Sequence, residues 1–488
     1  MSIEFNTIPG DVRVPGVYVE FDSSQAQTGL ADDSYTILVI GQRLASGTVA
    51  AGVPTAVQSA SQAQQFFGAG SMLANMLTAL KVANPYTACV AIALDDDEAA
   101  VAATVTATIT GPATGAGTLA MYIAGIAVKI AVASGDSTTT TATALAAAIN
   151  ANGNLPFTAG AAAGVVMLTA RNKGVAANYI DVRLNYYAGD VTPAGVAVAI
   201  AAGTAGTTNP DITTAIAAMA DDWYQAIAMP YTDSANLAAL ELELISRWGG
   251  TRQIDGIAYA GYRGTASATD TFGATQNSPF VSCMGTSISP TPPWIWAAVY
   301  AGVAAASLAT DPARPLQTLT LPGILPPARA DRFTFDEKNL HLHSGIATFN
   351  TAPDGTVQIQ REVSTYQFNA NKIADTSFLD ITTPATLSYF RFTTRAAMTA
   401  KFPREKLASD GTTYPPGANV VTPSVLRAER ISIAQDWVNA GLMEDLAQFK
   451  QDLVIQINAT DPNRADSLSS PNLVNQLRIM ADLVEFIL

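Results

Sequence analysis

The sequence predicts a multidomain protein of the α/β and α+β classes: a layered α/β core, a small α+β domain inserted into it, a C-terminal α+β domain and extended terminal arms. Three observations carry this. From Tyr35 onward, short apolar strands alternate with helical segments, which is the pattern of a layered α/β domain. Between Ala99 and Pro210 the composition changes and the alternation stops. Both chain ends carry apolar side chains, where termini are usually polar and frayed. A length of 488 residues accommodates about three domains. Hydrophobic residues make up 49% and charged residues only 14%, which excludes disorder as the whole-chain state. The net charge of −14, with no long basic run, removes the electrostatic basis for binding nucleic acid. So few charges on so long a chain suggest a surface covered by neighbouring copies, as in an assembly subunit.

In the core, assigned to residues 26–98 and 211–339, Thr36–Ile40 reads as a buried strand, Ser71–Val82 as an amphipathic helix and Ala88–Leu94 as a second strand. The acidic run Asp95–Glu98 reads as a solvated loop, since the ligand and glycine spacing of a calcium loop is missing. The series resumes with helix Ile212–Ala220, strand Tyr224–Met229, helix Ser234–Trp248, strand Gln253–Tyr259, helix Ala266–Gln276 and strand Phe280–Met284. Trp294–Ala309 is nearly apolar, but as a helix it would span about 24 Å against a bilayer core of about 30 Å. A buried helix is expected, and no membrane partner.

Residues 99–210 hold seven charged side chains in 112 positions, where the chain average would give about sixteen. Thr-rich alternation at Val105–Thr110 and Val165–Thr169 reads as strands, with a helix near Thr143–Asn150, giving the inserted α+β domain. Prolines from Pro290 to Pro327 mark an ordered connector. In the C-terminal domain, residues 340–465, Leu340–His343 and Val357–Val363 alternate as strands and Leu387–Lys401 reads as a helix stopped by Pro403. Thr422–Pro423 opens a further helix, with Leu426, Ile433, Trp437 and Ala440 on one face and Gly441 as its stop.

The ends are the arms, residues 1–25 and 466–488. Val17, Val19 and Phe21 share one face of an extended segment, and Leu483, Val484, Phe486 and Leu488 make the C-terminus apolar to its last residue. Left in water, each large side chain is unfavourable by about 1.5–3 kcal/mol, so both ends must dock. The acceptor is either the same subunit's sheet or, by strand addition, a neighbour's.

No phosphate-binding loop, dinucleotide fingerprint or nucleophile elbow follows any strand, so neither a catalytic residue nor a cofactor is expected. Gly41 reads as a tight turn. His341 and His343, the two histidines, would share a face on a strand, but two ligands make no metal site. Cys89 and Cys283 fit neither zinc nor disulfide spacing and read as buried thiols in a reducing compartment. Met1–Asp11 lacks the apolar stretch of a secretory signal, so cytosolic synthesis is expected. One element is locally cationic: Arg391 and Arg395 lie one helical turn apart, with Lys401, Arg404 and Lys406 close behind. They form either a solvated face or a docking face for an acidic partner.

Ser289–Ala298, Asp311–Pro327, Val421–Ser424, Asp461–Arg464 and Ser470–Arg478, together with Val14–Glu20, resemble the tail sheath protein of Mu-like contractile-tailed phages and prophages. The similarity spans most of the chain outside the insertion. It departs at Ala465–Ser470, which is less hydrophobic than the family pattern. The resemblance implies a structural subunit of the virion tail, assembled in the host cytoplasm as stacked six-fold rings around a tail tube. It implies arms exchanged as strands between neighbours and a contraction that drives the tube through the cell envelope. Tail tube protein, baseplate and tail terminator proteins would be its partners, with Arg391 and Arg395 the expected tube contact and the insertion facing outward. An α/β enzyme using His341 or His343, and a surface-layer or adhesin protein, are the alternatives; the adhesin would require an export signal.

Overall fold

The computed structural model describes Val14, residues 34–415 and residues 417–487. Val17, Val19, Phe21 and Leu488 lie outside the described residues. The chain forms two compact units, a larger one of Ser34–Tyr389 with Asn475–Leu488 and a smaller one that contains Phe390–Val474.

The larger unit is built on an eight-stranded sheet. Its strands run in the order Val357–Arg361, Ile346–Thr351, Val281–Gly285, Ile257–Tyr262, Ala226–Ala228, Thr36–Gln42, Ala88–Leu94 and Thr55–Ala56. The six inner strands are parallel, and the two edge strands pair antiparallel. Parallel strands are covered on both faces, which is why Ile37–Ile40 are all fully buried and read as an unbroken apolar run. The helices Met72–Ala83 and Pro293–Thr310 pack on each other and against this sheet. Trp296 and Tyr300 are fully buried, so the apolar helix is a core element. Gly41 lies within the first strand and makes no tight turn. A Cβ there would meet Leu73 Cα and Met76 Sδ at 3.3 Å, so its small size admits the helix Met72–Ala83.

Within this unit, residues 99–210 form an α+β body. A four-stranded antiparallel sheet (Ala197–Ala202, Thr104–Thr110, Val165–Ala170, Phe157–Ala162) and a three-stranded one (Ile126–Val132, Gly117–Ile123, Val182–Leu184) enclose the helix Thr138–Ala151, whose Leu145 and Ile149 are fully buried. The acidic run before it is more than a solvated loop. Asp96 accepts from Gln42 Nε2 (2.6 Å), Asn172 Nδ2 (3.1 Å) and the Lys173 amide (2.9 Å), tying the first core strand to the insertion.

Two expectations are corrected. Leu340–His343 is the end of a helix, Phe335–His343, and no strand. Thr334 caps it by accepting the Glu337 amide while the Glu337 carboxylate accepts the Thr334 amide, and this reciprocal pair outweighs a short alternation of side chains. The domain boundary expected at residue 340 falls instead at 389/390, because Ile346–Thr351 and Val357–Arg361 complete the core sheet.

The smaller unit packs around Trp437, whose ring stacks on Phe390 at 4.0 Å between centroids and whose Nε1 donates to Thr393 Oγ1 at 3.0 Å. On the helix Pro423–Asn439, Ile433 and Trp437 are buried as expected, Leu426 is half-buried and Ala440 is exposed at the C-cap. Gly441 follows at φ +72°, the left-handed stop. Two short antiparallel ribbons complete this unit: Val454–Ile457 with Ala465–Leu468, and Met443–Glu444 with Asn472–Leu473.

Candidate assembly surfaces

The C-terminal segment changes character within one residue. In the larger unit Gln476 Nε2 donates to the Ala313 carbonyl (2.7 Å) and to Thr382 Oγ1 (2.5 Å). The Arg478 guanidinium donates to both oxygens of Glu362, NH1 to Oε2 at 3.1 Å, and to Asp380 Oδ1 at 3.2 Å. From Ile479 onward the apolar side chains stand in water: Ile479 is 79% exposed, Leu483 86%, Val484 74%, Phe486 79% and Ile487 100%. Residues 474–487 belong to no strand of the described chain, so Leu483, Val484 and Phe486 are not docked on the subunit's own sheets. The arm expected at 466–488 is therefore composite. Its first part, Ala465–Leu468 and Asn472–Leu473, is built into the smaller unit, and only its last part is unpaired.

The Val454–Ile457/Ala465–Leu468 ribbon has two strands, and among the described residues neither outer edge carries a further strand. Val454 (49% exposed) and Leu468 (67%) lie on it. An open ribbon edge offers unpaired backbone donors and acceptors to an added strand.

On the helix Thr382–Lys401, Arg391 is half-buried and Arg395 exposed, while Lys401 pairs with Glu429 at 2.5 Å. Two arginines of the helix Pro423–Asn439 bond within the unit. Arg427 donates to the Leu453 carbonyl at 3.2 Å. Arg430 is buried over the Trp437 ring at 5.5 Å and donates to Thr394 Oγ1 and Ser469 Oγ, and burial lowers its pKa.

Among the described residues, the histidines and cysteines are dispersed. His341 is fully buried, with Nδ1 2.6 Å from Asp270 Oδ1 and the Phe333 ring edge-on at 4.4 Å. His343 is exposed; on a helix, residues two apart point to different sides, so the shared face expected of a strand does not exist. No group of three His, Cys, Asp or Glu residues fit to hold a metal occurs among the described residues. Burial pushes the Cys89 thiol up to about 11 and raises that of Cys283 further, so both behave as buried, inert side chains. A cleft of about 350 Å³ between core and insertion is lined by Trp294, Ile295, Ile126, Tyr187 and neutral amides, with no carboxylate or basic group to do chemistry.

Sequence reading missed Gln476, Arg478, Glu362 and Asp380 as a set. No local signal marks them, since Arg478 and Glu362 are 116 residues apart.

An unpaired apolar tail, an open-edged ribbon and an α/β body define the class: a structural subunit built for assembly. Residues 205–365 match the phage tail sheath protein central domain and residues 374–487 the phage tail sheath C-terminal domain. Over 488 residues, all of both chains, the sequence is 40% identical to the Mu-like prophage FluMu tail sheath protein of Haemophilus influenzae (strain ATCC 51907 / DSM 11121 / KW20 / Rd). The chain belongs to the phage tail sheath family and is a structural protein of the virion tail. The fold is similar to that of the anti-feeding prophage (AFP) helical sheath in the contracted state, with a TM-score of 0.50 at 11% identity over 98% of this chain and 99% of the other. It is equally similar to the PVC sheath complex of an extracellular contractile injection system in the contracted state, at 0.50 and 10% identity over 98% of each chain.

Proposed function

We propose that this subunit polymerises as stacked six-fold rings around a tail tube, joined by strands exchanged between neighbours, and contracts to drive the tube through a cell envelope. The observation that carries the reading is the apolar tail Ile479–Ile487, exposed and part of no strand among the described residues. Burying each large side chain of this tail contributes about 1.5–3 kcal/mol, and a neighbour's open ribbon edge offers the backbone pairing. Val17, Val19 and Phe21 are the proposed counterpart in the N-terminal arm.

The protein acts as a scaffold and not as an enzyme, and its contraction requires no nucleotide. The free energy of contraction lies in the larger interface of the contracted state. Arg391 and Arg395 are the proposed contacts to a locally acidic tube surface, and the insertion, residues 99–210, faces outward. Baseplate and tail terminator proteins bound its two ends, and assembly takes place in the host cytoplasm. Negative-stain microscopy of the purified protein tests the reading. Hollow striated tubes are expected; a monodisperse monomer at every concentration and salt condition refutes it.

A further inference from the structure

We infer that Arg478 and its carboxylate partners form a latch that fixes the point at which the C-terminal arm leaves its own subunit, so that the length free to reach a neighbour begins at Ile479. The inference deepens the reading above and rests on it for the destination of the tip. The latch itself stands on the geometry of the larger unit alone.

Exposure along the segment alternates sharply. Leu477 is 74% exposed, the Arg478 side chain 10% and Ile479 79%. In an extended segment residues two apart share a side, so Gln476 and Arg478 face the protein together while Leu477 faces water. Gln476 reaches Ala313 and Thr382, and Arg478 reaches Glu362 and Asp380. Both carboxylates of the socket also have partners outside the arm. Glu362 is fully buried and accepts the Leu316 amide at 3.1 Å, and Asp380 is gripped by Arg361 through two bonds of 3.0 Å.

An arginine suits this role because its planar fork engages a carboxylate through two bonds at once, which a lysine cannot do. A buried ion pair is weak evidence for stability as such, and its best-attested use is to fix a register. Sliding the segment by one residue would place Leu477 or Ile479 against two carboxylates, so only one register satisfies the socket. Arg478 is thus a positioning residue for the exchange: it touches no neighbour itself but sets the arm's origin.

The test uses the full-length protein and the variants Arg478→Lys, Glu362→Gln and the double variant Glu362→Gln/Arg478→Gln, parent and variants alike carrying a nitroxide on Leu477→Cys; Cys89 and Cys283 are buried, so the label goes to the exposed position. The mobility of the label is measured by electron paramagnetic resonance on dilute, unassembled subunits, and tube formation is scored separately by microscopy on unlabelled protein without the cysteine. A correlation time at least three-fold shorter than in the parent, together with few or irregular tubes, is the expected result for each variant. A purely structural role would lower the melting temperature without a change confined to this segment. If a single variant fails to fold, the double variant decides, because it leaves no unpaired buried charge. Unchanged mobility overturns the latch. Increased mobility with tubes of parental length and order overturns its positioning role. Absence of tubes from the parent protein would count against the sheath assembly proposed above, while the label's mobility would still decide whether the latch exists.

Discussion

Asp181, in the insertion, accepts from Arg263 NH2 of the core at 2.9 Å, and the same carboxylate binds Arg183 through Nε and NH2. Arg183 NH2 in turn donates to the Ile288 carbonyl at 3.1 Å and Tyr186 Oη to the Pro326 carbonyl at 2.8 Å. Asn172 accepts the Met72 amide at 2.8 Å and donates to the Arg43 carbonyl at 2.8 Å. The insertion is therefore fastened to the core at several points and belongs to the same compact unit. Asp181→Ala should lower stability by about 1.5–3 kcal/mol, since it leaves two guanidinium groups short of an ionised acceptor. Urea unfolding followed by tryptophan fluorescence checks this, and a midpoint unchanged from the parent would show that the junction is held by other contacts.

Replacing residues 99–210 by a short Gly/Ser linker should still give tubes, of smaller outer diameter, if the insertion faces outward. The junction adds a condition. Met72 and Trp294 line a small void together with Pro156, Ala177 and Ile180 of the insertion, so excision uncovers both. The linker protein should aggregate unless Met72 and Trp294 are also made polar, and tubes of unchanged diameter would refute the outward placement.

Two truncations of the C-terminus should differ. Removing Ile479–Leu488 deletes only exposed side chains of the described arm and should leave a folded subunit that forms no tubes. Removing Leu477–Leu488 also takes Arg478 and strands the buried Glu362, at a cost of about 3–5 kcal/mol. Comparing the thermal midpoints of the two proteins separates arm from latch; equal midpoints would mean that Glu362 finds another partner.

Arg391→Glu with Arg395→Glu should permit empty sheaths but prevent assembly on purified tube. Exposed pairs contribute only about 0.2–1 kcal/mol each, yet repetition around a ring multiplies them, and rising salt should weaken the parental interaction. Cosedimentation with tube at several salt concentrations is the measurement. Parental binding by the double variant would place the tube contact elsewhere.

His341→Ala should destabilise the larger unit by about 3 kcal/mol, through the cavity beside Phe333 and the loss of the Asp270 hydrogen bond, whereas His343→Ala should be nearly silent. Thermal melts of the two variants provide the comparison, and equal shifts would contradict the burial of His341 alone.

With its thiol raised to about 11, Cys89 holds only about one thousandth of its sulfur as thiolate at pH 8, and Cys283 holds less. Native protein should therefore resist iodoacetamide at pH 8 and take up two equivalents once unfolded. Rapid modification of the folded subunit would show that the core opens.

The alternation of strands and helices, the composition break at the insertion and the apolar termini were legible along the chain because each is a local property. Side-chain periodicity and capping residues act over a few positions, so Thr36–Gln42, Ser234–Trp248 and Pro293–Thr310 followed from their own sequences. Thr334 and Glu337 were equally local, and their reciprocal cap was the legible signal for the helix that a short alternation at Leu340–His343 obscured. Tertiary structure alone decided that Ile346–Thr351 and Val357–Arg361 join the core sheet, that Gly41 makes room for a helix and that Arg478 meets Glu362. Those outcomes depend on which distant surfaces come into register, and the burial that rewards such a match exists only once the chain has folded.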